Sequence, residues 1–281
     1  MTPALELPAG FPDAVEAFAC DLDRTLIGED ALLRPRTLGA IAAARDAGLR
    51  VLVVTGRMFR SVRPYLEQAG LEDPVVCYQG AAVVEPRSGR FLVHEPLPLD
   101  VAREAVAILV EAGRPPNCYV DDELYVAEHN AYSRAYAEFQ HLPVTEVGDL
   151  LAWLERPPTK LVAVGDPEEL PALRALLTRG LGARASLMTS LPYLLEIGNP
   201  AVSKGTGIAH VAGLVGFAAE RTVAFGDGEN DLDLLGWAGF GVAVEGGHPA
   251  LLARADWSCP GPDADGVARV IEAYLGVHSR A

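Results

Sequence analysis

A doubly wound α/β fold, with a parallel-sheet core and an inserted α+β module, is predicted by three features of this chain. Near both ends, short β-branched runs alternate with helical stretches, the βαβ rhythm of a parallel sheet. The middle loses that rhythm and mixes hairpins with helices. Several apolar runs also end abruptly in polar residues, as strands do where they deliver charge to the end of a sheet and a ligand or metal offsets its desolvation.

Ala14 to Cys20 reads as the first strand and runs straight into Asp21-Leu22-Asp23-Arg24-Thr25. Pro35 to Gly48 places Leu38, Ile41, Ala42 and Ala44 at helical spacing and ends on a C-cap-type glycine. Leu49 to Val54 is a near-continuous β-branched run, as expected for a strand buried on both faces. It ends in Thr55-Gly56-Arg57, and a helix follows from Met58 to Ala69. Val75 to Tyr78 is the next strand, before Gln79-Gly80.

The rhythm changes at Ala81 to Glu85 and Arg90 to His94, which flank Pro86-Arg87-Ser88-Gly89 as a hairpin. A helix over Asp100 to Ala112 precedes a second hairpin, Cys118 to Val120 against Leu124 to Ala127, with Asp121-Asp122-Glu123 at its turn. A polar aromatic segment, His129 to His141, leads to a helix near Val147 to Leu154. A strand at Lys160 to Val164, a helix over Pro167 to Arg179, and strands at Ala185 to Met188 and Tyr193 to Ile197 complete the module. The βα rhythm then resumes: a helix after Ser203-Lys204-Gly205 to Leu214, and a strand at Thr222 to Phe225 ending in Gly226-Asp227-Gly228-Glu229-Asn230-Asp231. A helix at Leu232 to Ala238, a strand at Gly241 to Val244, and helices over Pro249 to Ala255 and Gly266 to Leu275 finish the chain. The expected division is a core of residues 1–95 and 191–281 with the module at 96–190.

With 281 residues, half of them apolar, the chain has ample material for a core without staples. Cys20, Cys77, Cys118 and Cys259 stand singly, which reads as buried thiols in a reducing compartment, with the cytoplasm expected. The start lacks a basic, apolar leader, and no run reaches the ~20 apolar residues of a membrane span, so a soluble protein is expected. A net charge of -15 disfavours nucleic acid and anionic membranes as partners. Lys160 and Lys204 are the only lysines in an otherwise arginine-based chain. Lys160 is expected at an exposed strand end.

In a doubly wound sheet, loops leaving the carboxyl ends of the strands converge on one crevice. Asp21 and Asp23 leave one strand, Thr55 another and Asp227 to Asp231 a third, while Lys204 opens a helix. Carboxylates gathered there repel one another and imply a hard cation, and oxygen ligands from few residues favour Mg²⁺ over Ca²⁺. Asp227, Glu229, Asp231 and Asp233 alternate as in a calcium loop, but an EF-hand needs Gly and Glu where Leu232 and Ala238 stand.

The set Asp21-x-Asp23-x-Thr25, Thr55-Gly56-Arg57, Lys204 and Gly226-Asp227-x-x-Asn230-Asp231, in that order, resembles the four signatures of the haloacid dehalogenase superfamily of phosphohydrolases. The insertion between the second and third signatures, with Val202-Ser203-Lys204-Gly205, resembles the Cof-type branch with a C2 cap. The resemblance covers nearly the whole chain and is weakest in the insertion. It implies an Mg²⁺-dependent phosphomonoesterase for a small phosphorylated metabolite, with sugar phosphates leading. Asp21 would be the nucleophile that forms an aspartyl-phosphate, and Asp23 the general acid and base, its main-chain carbonyl joining the metal shell. Asp21, Asp23, Asp227 and Asp231 would make the metal set. Lys204 would cancel charge, and Thr55 with the Gly56 amide would hold phosphoryl oxygens. Asn230 and Asp231 would orient Lys204 or metal-bound water. Arg24, Arg57, Gly56 and Asn230 form the implied substrate-binding set.

Three departures from the family pattern stand out. Arg24 occupies the place usually held by Gly, which implies that the backbone there does not need φ > 0; its guanidinium could meet the cap or a second anionic group of the substrate. Gln79 stands where Asn is common, and Gly246-Gly247 replaces Asn-Ala. In the insertion, Asp121, Asp122, Tyr125, His129 and Tyr132 either line the cap's face or form a solvated hairpin tip. Two other functions use the same residues: a sugar phosphomutase working through the same aspartyl-phosphate, and a non-catalytic sugar-phosphate sensor.

Overall fold

The computed structural model describes residues 5–134 and 143–278. The chain divides into two compact units. Met1–Thr55, Val62–Leu92 and Ser203–Ala281 form the first, and Gly56–Ser61 with Val93–Val202 the second.

β1 (Ala17–Cys20) and β2 (Arg50–Val53) pair in parallel, with Ala17 opposite Arg50 and Cys20 opposite Val53. Apart from Arg50 their residues are buried, as unbroken apolar runs covered on both faces should be. α1 (Pro35–Asp46) begins on proline, whose missing N–H would be unsatisfied there in any case, and buries Thr37, Ala40, Ile41 and Ala44. α2 (Phe59–Ala69) leads to β3 (Val75–Cys77), which forms a three-stranded sheet with β4 (Ala82–Val84) and β5 (Phe91–His94) in that order. A parallel bridge from Val54 to Val76 continues the strand direction from β2 to β3.

The second unit follows with α3 (Leu99–Glu111), β6 (Asn117–Val120), β7 (Glu123–Val126), β8 (Val144–Glu146), α4 (Leu150–Trp153) and β9 (Lys160–Val164). α5 (Leu170–Leu181), β10 (Ser186–Leu191) and β11 (Leu194–Gly198) complete it. Its sheet runs β10-β11-β9-β6-β7-β8. Alternation divides the strand residues between two faces. Cys118, Val120, Leu161, Ala163, Leu195 and Ile197 join Val101, Ala105 and Leu109 of α3 and Leu173 and Leu177 of α5 in one core. Tyr119, Lys160, Val162 and Glu196 take the alternate positions and are buried as well.

Lys160 corrects an expectation. It is only 5% exposed, with its ammonium 2.6 Å from Glu196, because β11 places an acid beside it across the sheet. The expected boundary between residues 190 and 191 falls within β10; β11 pairs antiparallel with both β9 and β10, so residues 194–198 belong to the second unit's sheet. Gly56–Ser61 also packs with this unit, which local sequence did not foretell. The expected segment ending at His141 runs into residues 135–142, outside the described residues.

The chain then returns to the first unit through α6 (Lys204–Val215), β12 (Thr222–Gly226), α7 (Leu232–Trp237) and β13 (Phe240–Val244). α8 (Pro249–Arg254), β14 (Trp257–Cys259) and α9 (Gly266–His278) end it. β14 is an addition to the expected elements: three residues, one of them apolar and buried, are too few to show a period. The sheet is parallel throughout, ordered β14-β13-β12-β1-β2. Phe18 packs 6.2 Å from Phe225 and meets Tyr274 edge-on at 5.9 Å between ring centres, tying β1, β12 and α9 together. The chain leaves β1 for β2 on one side, and β12 lies on the other. The carboxyl ends of β1 and β12 therefore form the point where strand order reverses, where open α/β sheets place their ligands. Among the described residues, no helix is long and apolar enough to cross a membrane.

Candidate active site

Register explains why distant acids meet. Cys20 lies opposite Phe225, and the Asp21 amide donates to the Phe225 carbonyl at 3.0 Å, so Asp21 and Asp227 leave adjacent strand ends. Ligand oxygens of Asp21, Asp227 and Asp231 lie within 4.8 Å of one another, and all three residues are buried. Lys204, 1% exposed, joins them: its Nζ lies 2.5 Å from Asp21 Oδ1 and 2.6 Å from Asp231 Oδ1.

Lys204 is the first residue of α6, and that helix start is fixed locally. The Ser203 side chain accepts from the Thr206 amide, and the Ser203 amide donates to the Thr206 hydroxyl. Gly80, at φ +105°, lets this cap approach: a Cβ there would lie 1.9 Å from the Ser203 carbonyl oxygen. Asp231 is held as firmly. Its Oδ2 accepts from the amides of Asp227 at 3.0 Å and Gly228 at 2.9 Å, so both of its oxygens are engaged.

The charges do not balance. One buried ammonium lies among three carboxylates, and among the described residues the only other cation at the cluster, Arg24 on Asp227, is more than half exposed, so the buried site is short of positive charge. Burial pushes the Asp21 carboxyl well above its usual range; Lys204 pulls it back, while Asp231, Asp227 and Asp23 push it further. Burial, then Asp231, pushes Asp227 up to about 6, against Arg24 and Lys204. Burial alone would lower Lys204, but Asp21 and Asp231 outweigh it and keep the ammonium charged.

The structure brings together Asp21, Asp227, Asp231 and Lys204, and adds Arg24, whose Nη1 lies 3.5 Å from Asp227 Oδ2. Arg24 overturns the expectation about its backbone. Its φ is +61°, so this position does adopt the left-handed conformation usual for Gly, and the Arg side chain is carried there at a steric cost of about 1–2 kcal/mol. Asp23 is half-buried, and its carboxylate lies outside the three-acid group. Thr55 is fully buried at the end of β2, its amide donating to Val76 and its carbonyl accepting from Gln79. The Asn230 amide donates to Gln79 Oε1 at 3.0 Å, so in this structure it orders the Gln79 loop. Gly56 and Arg57 belong to the second unit, where the Arg57 guanidinium donates to Ser61 Oγ at 3.3 Å.

Among the open insertion residues, Asp122 caps the start of α2, where its carboxylate accepts from the amides of Phe59 at 2.9 Å and Arg60 at 3.0 Å. Asp121 pairs with Arg156, Tyr125 donates to Glu123, and Tyr132 lies beside Arg114. Sequence reasoning missed Gly80 and Gln79 as supports of the site; the Gln-Gly dipeptide after a strand was the available signal. The four cysteines are buried and form no disulfide, with burial pushing Cys118 and Cys259 up to about 12. They are poor nucleophiles in that state.

The donor set suits a hard divalent cation: buried, anionic, all oxygen, and short of positive charge. Asp21 and Asp227 are the side chains best placed to hold it. Asp231 has both oxygens committed to Lys204 and backbone amides and serves to organise the others.

The family profile of haloacid dehalogenase-like hydrolases matches residues 18–271. The chain is 32% identical to the 5-amino-6-(5-phospho-D-ribitylamino)uracil phosphatase of Bacillus subtilis, over 92% of this chain and 97% of that protein. It is 27% identical to the pyridoxal phosphate phosphatase of Escherichia coli, over 92% and 97% of the two chains. Its fold matches the crystal structure of a haloacid dehalogenase-like hydrolase from Bacteroides thetaiotaomicron with a TM-score of 0.84, at 23% identity over 92% of this chain and 98% of that one. With its parallel sheet, its acid cluster at the strand-order reversal and these relatives, the chain belongs to the haloacid dehalogenase-like hydrolases and stands among their phosphatases.

Proposed function

We propose that this protein is an Mg²⁺-dependent phosphomonoesterase that hydrolyses a small phosphorylated metabolite of the sugar-phosphate class through an aspartyl-phosphate. The observation that carries the reading is the buried cluster of Asp21, Asp227 and Asp231 with a single ammonium, Lys204, among them. Such a site is short of positive charge, and an ester phosphate brings more negative charge, so a divalent cation would supply electrostatic stabilisation when bound. Asp21 attacks phosphorus, and the bond from phosphorus to the ester oxygen breaks; Asp23 gives its proton to the departing alkoxide. Asp23 then takes a proton from water, which attacks the aspartyl-phosphate and releases orthophosphate. Lys204 orients the Asp21 carboxylate throughout, while Asp231 and its two amide donors hold Lys204 in place. Thr55 and the Gly56 amide hold phosphoryl oxygens, with Arg57 beside them. The sugar-phosphate class is favoured by the B. subtilis relative, whose named substrate carries a phosphoribityl group.

The test is orthophosphate release from a panel of sugar phosphates, polyol phosphates and pyridoxal phosphate, with and without Mg²⁺. Turnover should require the metal, and Asp21→Asn should lower kcat by on the order of 10⁴-fold or more. A wild-type protein silent on the whole panel in Mg²⁺ would refute the reading.

A further inference from the structure

The second lysine lies outside the acid cluster, and its surroundings are as closely built. Lys160, on β9, is 5% exposed and Glu196, on β11, is 8% exposed. The Lys160 Nζ donates to Glu196 Oε2 at 2.6 Å and to the Gly56 carbonyl oxygen at 3.0 Å. It also lies 5.3 Å from the centre of the Tyr119 ring, which stands opposite Lys160 in the β6–β9 register. A buried ion pair is a poor source of stability, because desolvation offsets the attraction. What this pair does specifically is place a charged donor on one main-chain oxygen, 104 residues away in the chain.

That oxygen belongs to the residue after Thr55. Glycine has the freest backbone of any residue, so an unheld Gly56–Arg57 peptide would sample several orientations. The ammonium fixes this peptide plane through its carbonyl and so limits how Gly56, with its amide on the preceding peptide, can turn. Two residues further on, Asp122 accepts from the amides of Phe59 and Arg60, and Arg60 pairs with Glu123 at 2.8 Å. The segment Gly56–Ser61 is thus anchored at both ends within the second unit.

We propose that Lys160, held by Glu196, is a positioning residue that holds Gly56 through its carbonyl and so sets the Gly56 amide for phosphoryl binding. The inference rests on the phosphatase reading above and adds a residue outside the motifs that carry it.

Inorganic phosphate is the probe, with affinity measured by calorimetry in Mg²⁺ and by inhibition of turnover. Lys160→Met leaves Glu196 buried without its cation, so the double variant Lys160→Met/Glu196→Leu, which removes both charges, is measured beside it. The expected result is a melting temperature for the double variant near that of wild type, with orthophosphate affinity about tenfold or more weaker and KM raised more than kcat is lowered. A folded double variant that binds orthophosphate as wild type does would overturn the assignment. Failure of both variants to fold would also overturn it, in favour of a purely structural pair. Wild type that neither turns over esters nor binds orthophosphate would sink the functional reading itself, a result distinct from active wild type with unaltered variants.

Discussion

Lys204 and Lys160 are buried to almost the same degree, 1% and 5% exposed, yet they sit in opposite electrostatic situations. Around Lys204, three carboxylates share one ammonium, and burial with mutual repulsion raises both Asp21 and Asp227. Around Lys160, one carboxylate and one carbonyl satisfy one ammonium. The first centre is incomplete and gains from a cation and a phosphoryl group; the second pairs one acid with one base and serves to hold a peptide still. A buried lysine therefore has to be read from the charge balance around it, since burial alone is the same in both.

The largest expected effect comes from breaking the first centre. Lys204→Met should lower kcat by about 10³-fold, as loss of a preorganised cationic group does, and should also lower stability by about 3–5 kcal/mol near neutral pH, because it leaves clustered acids without their counter-charge. Phosphate release and urea melts would check both; retention of more than a tenth of wild-type turnover would remove Lys204 from the mechanism.

Gly80→Ala probes the support beneath that lysine. A φ of +105° is a glycine conformation, and the added Cβ would overlap the Ser203 carbonyl, a backbone atom. A loss of about 3 kcal/mol or more is expected in denaturant melts, with turnover falling as the start of α6 shifts. A stable, fully active variant would show that the cap of α6 does not set Lys204.

The imbalance also predicts a pH dependence in metal-free protein. The Asp227 carboxyl ionises near 6 when folded, whereas an unfolded aspartate ionises about two units lower. Between those values the native state holds the extra proton, so stability falls as pH rises from about 4 to 6 and stays lower above that window. Asp227→Asn should therefore stabilise the metal-free protein by on the order of 2 kcal/mol at pH 8 and by little at pH 4. Melting curves in EDTA at the two pH values decide it, and equal effects at both would contradict the proposed origin.

Arg24→Gly should have the smallest effect. It relieves a left-handed arginine but frees the unfolded chain and removes a half-exposed contact to Asp227, so the change should stay within about 1 kcal/mol. A larger loss, measured in metal-free protein, would make the Arg24 side chain a structural part of the site.

Much of this protein is written locally. The unbroken apolar run at residues 17–20 and the Val-rich run at 50–53 specify buried parallel strands, and their polar ends mark where the acids emerge. Asp21, Thr55, Lys204 and Asp227 could be picked out because chemistry at the end of a strand needs those residue types in sequence. β9 was equally legible, and its expected bounds, Lys160 to Val164, match the observed strand. The fate of Lys160 was not legible, since Glu196 is 36 residues away and Gly56 104 residues away, and only the pairing of β9 with β11 makes the first of them a neighbour.

The sequence by itself thus determined the parallel α/β core, the presence of an inserted module and the set of acids and the lysine that form the first centre, because hydrophobic period and residue spacing act over a few residues. Tertiary structure decided that β11 joins the second unit, that Arg24 takes φ +61°, that both Asp231 oxygens are engaged by Lys204 and backbone amides, and that Lys160 is a buried anchor. Each of those depends on desolvation and on partners far away in the chain, which exist only once the strands have paired and excluded water.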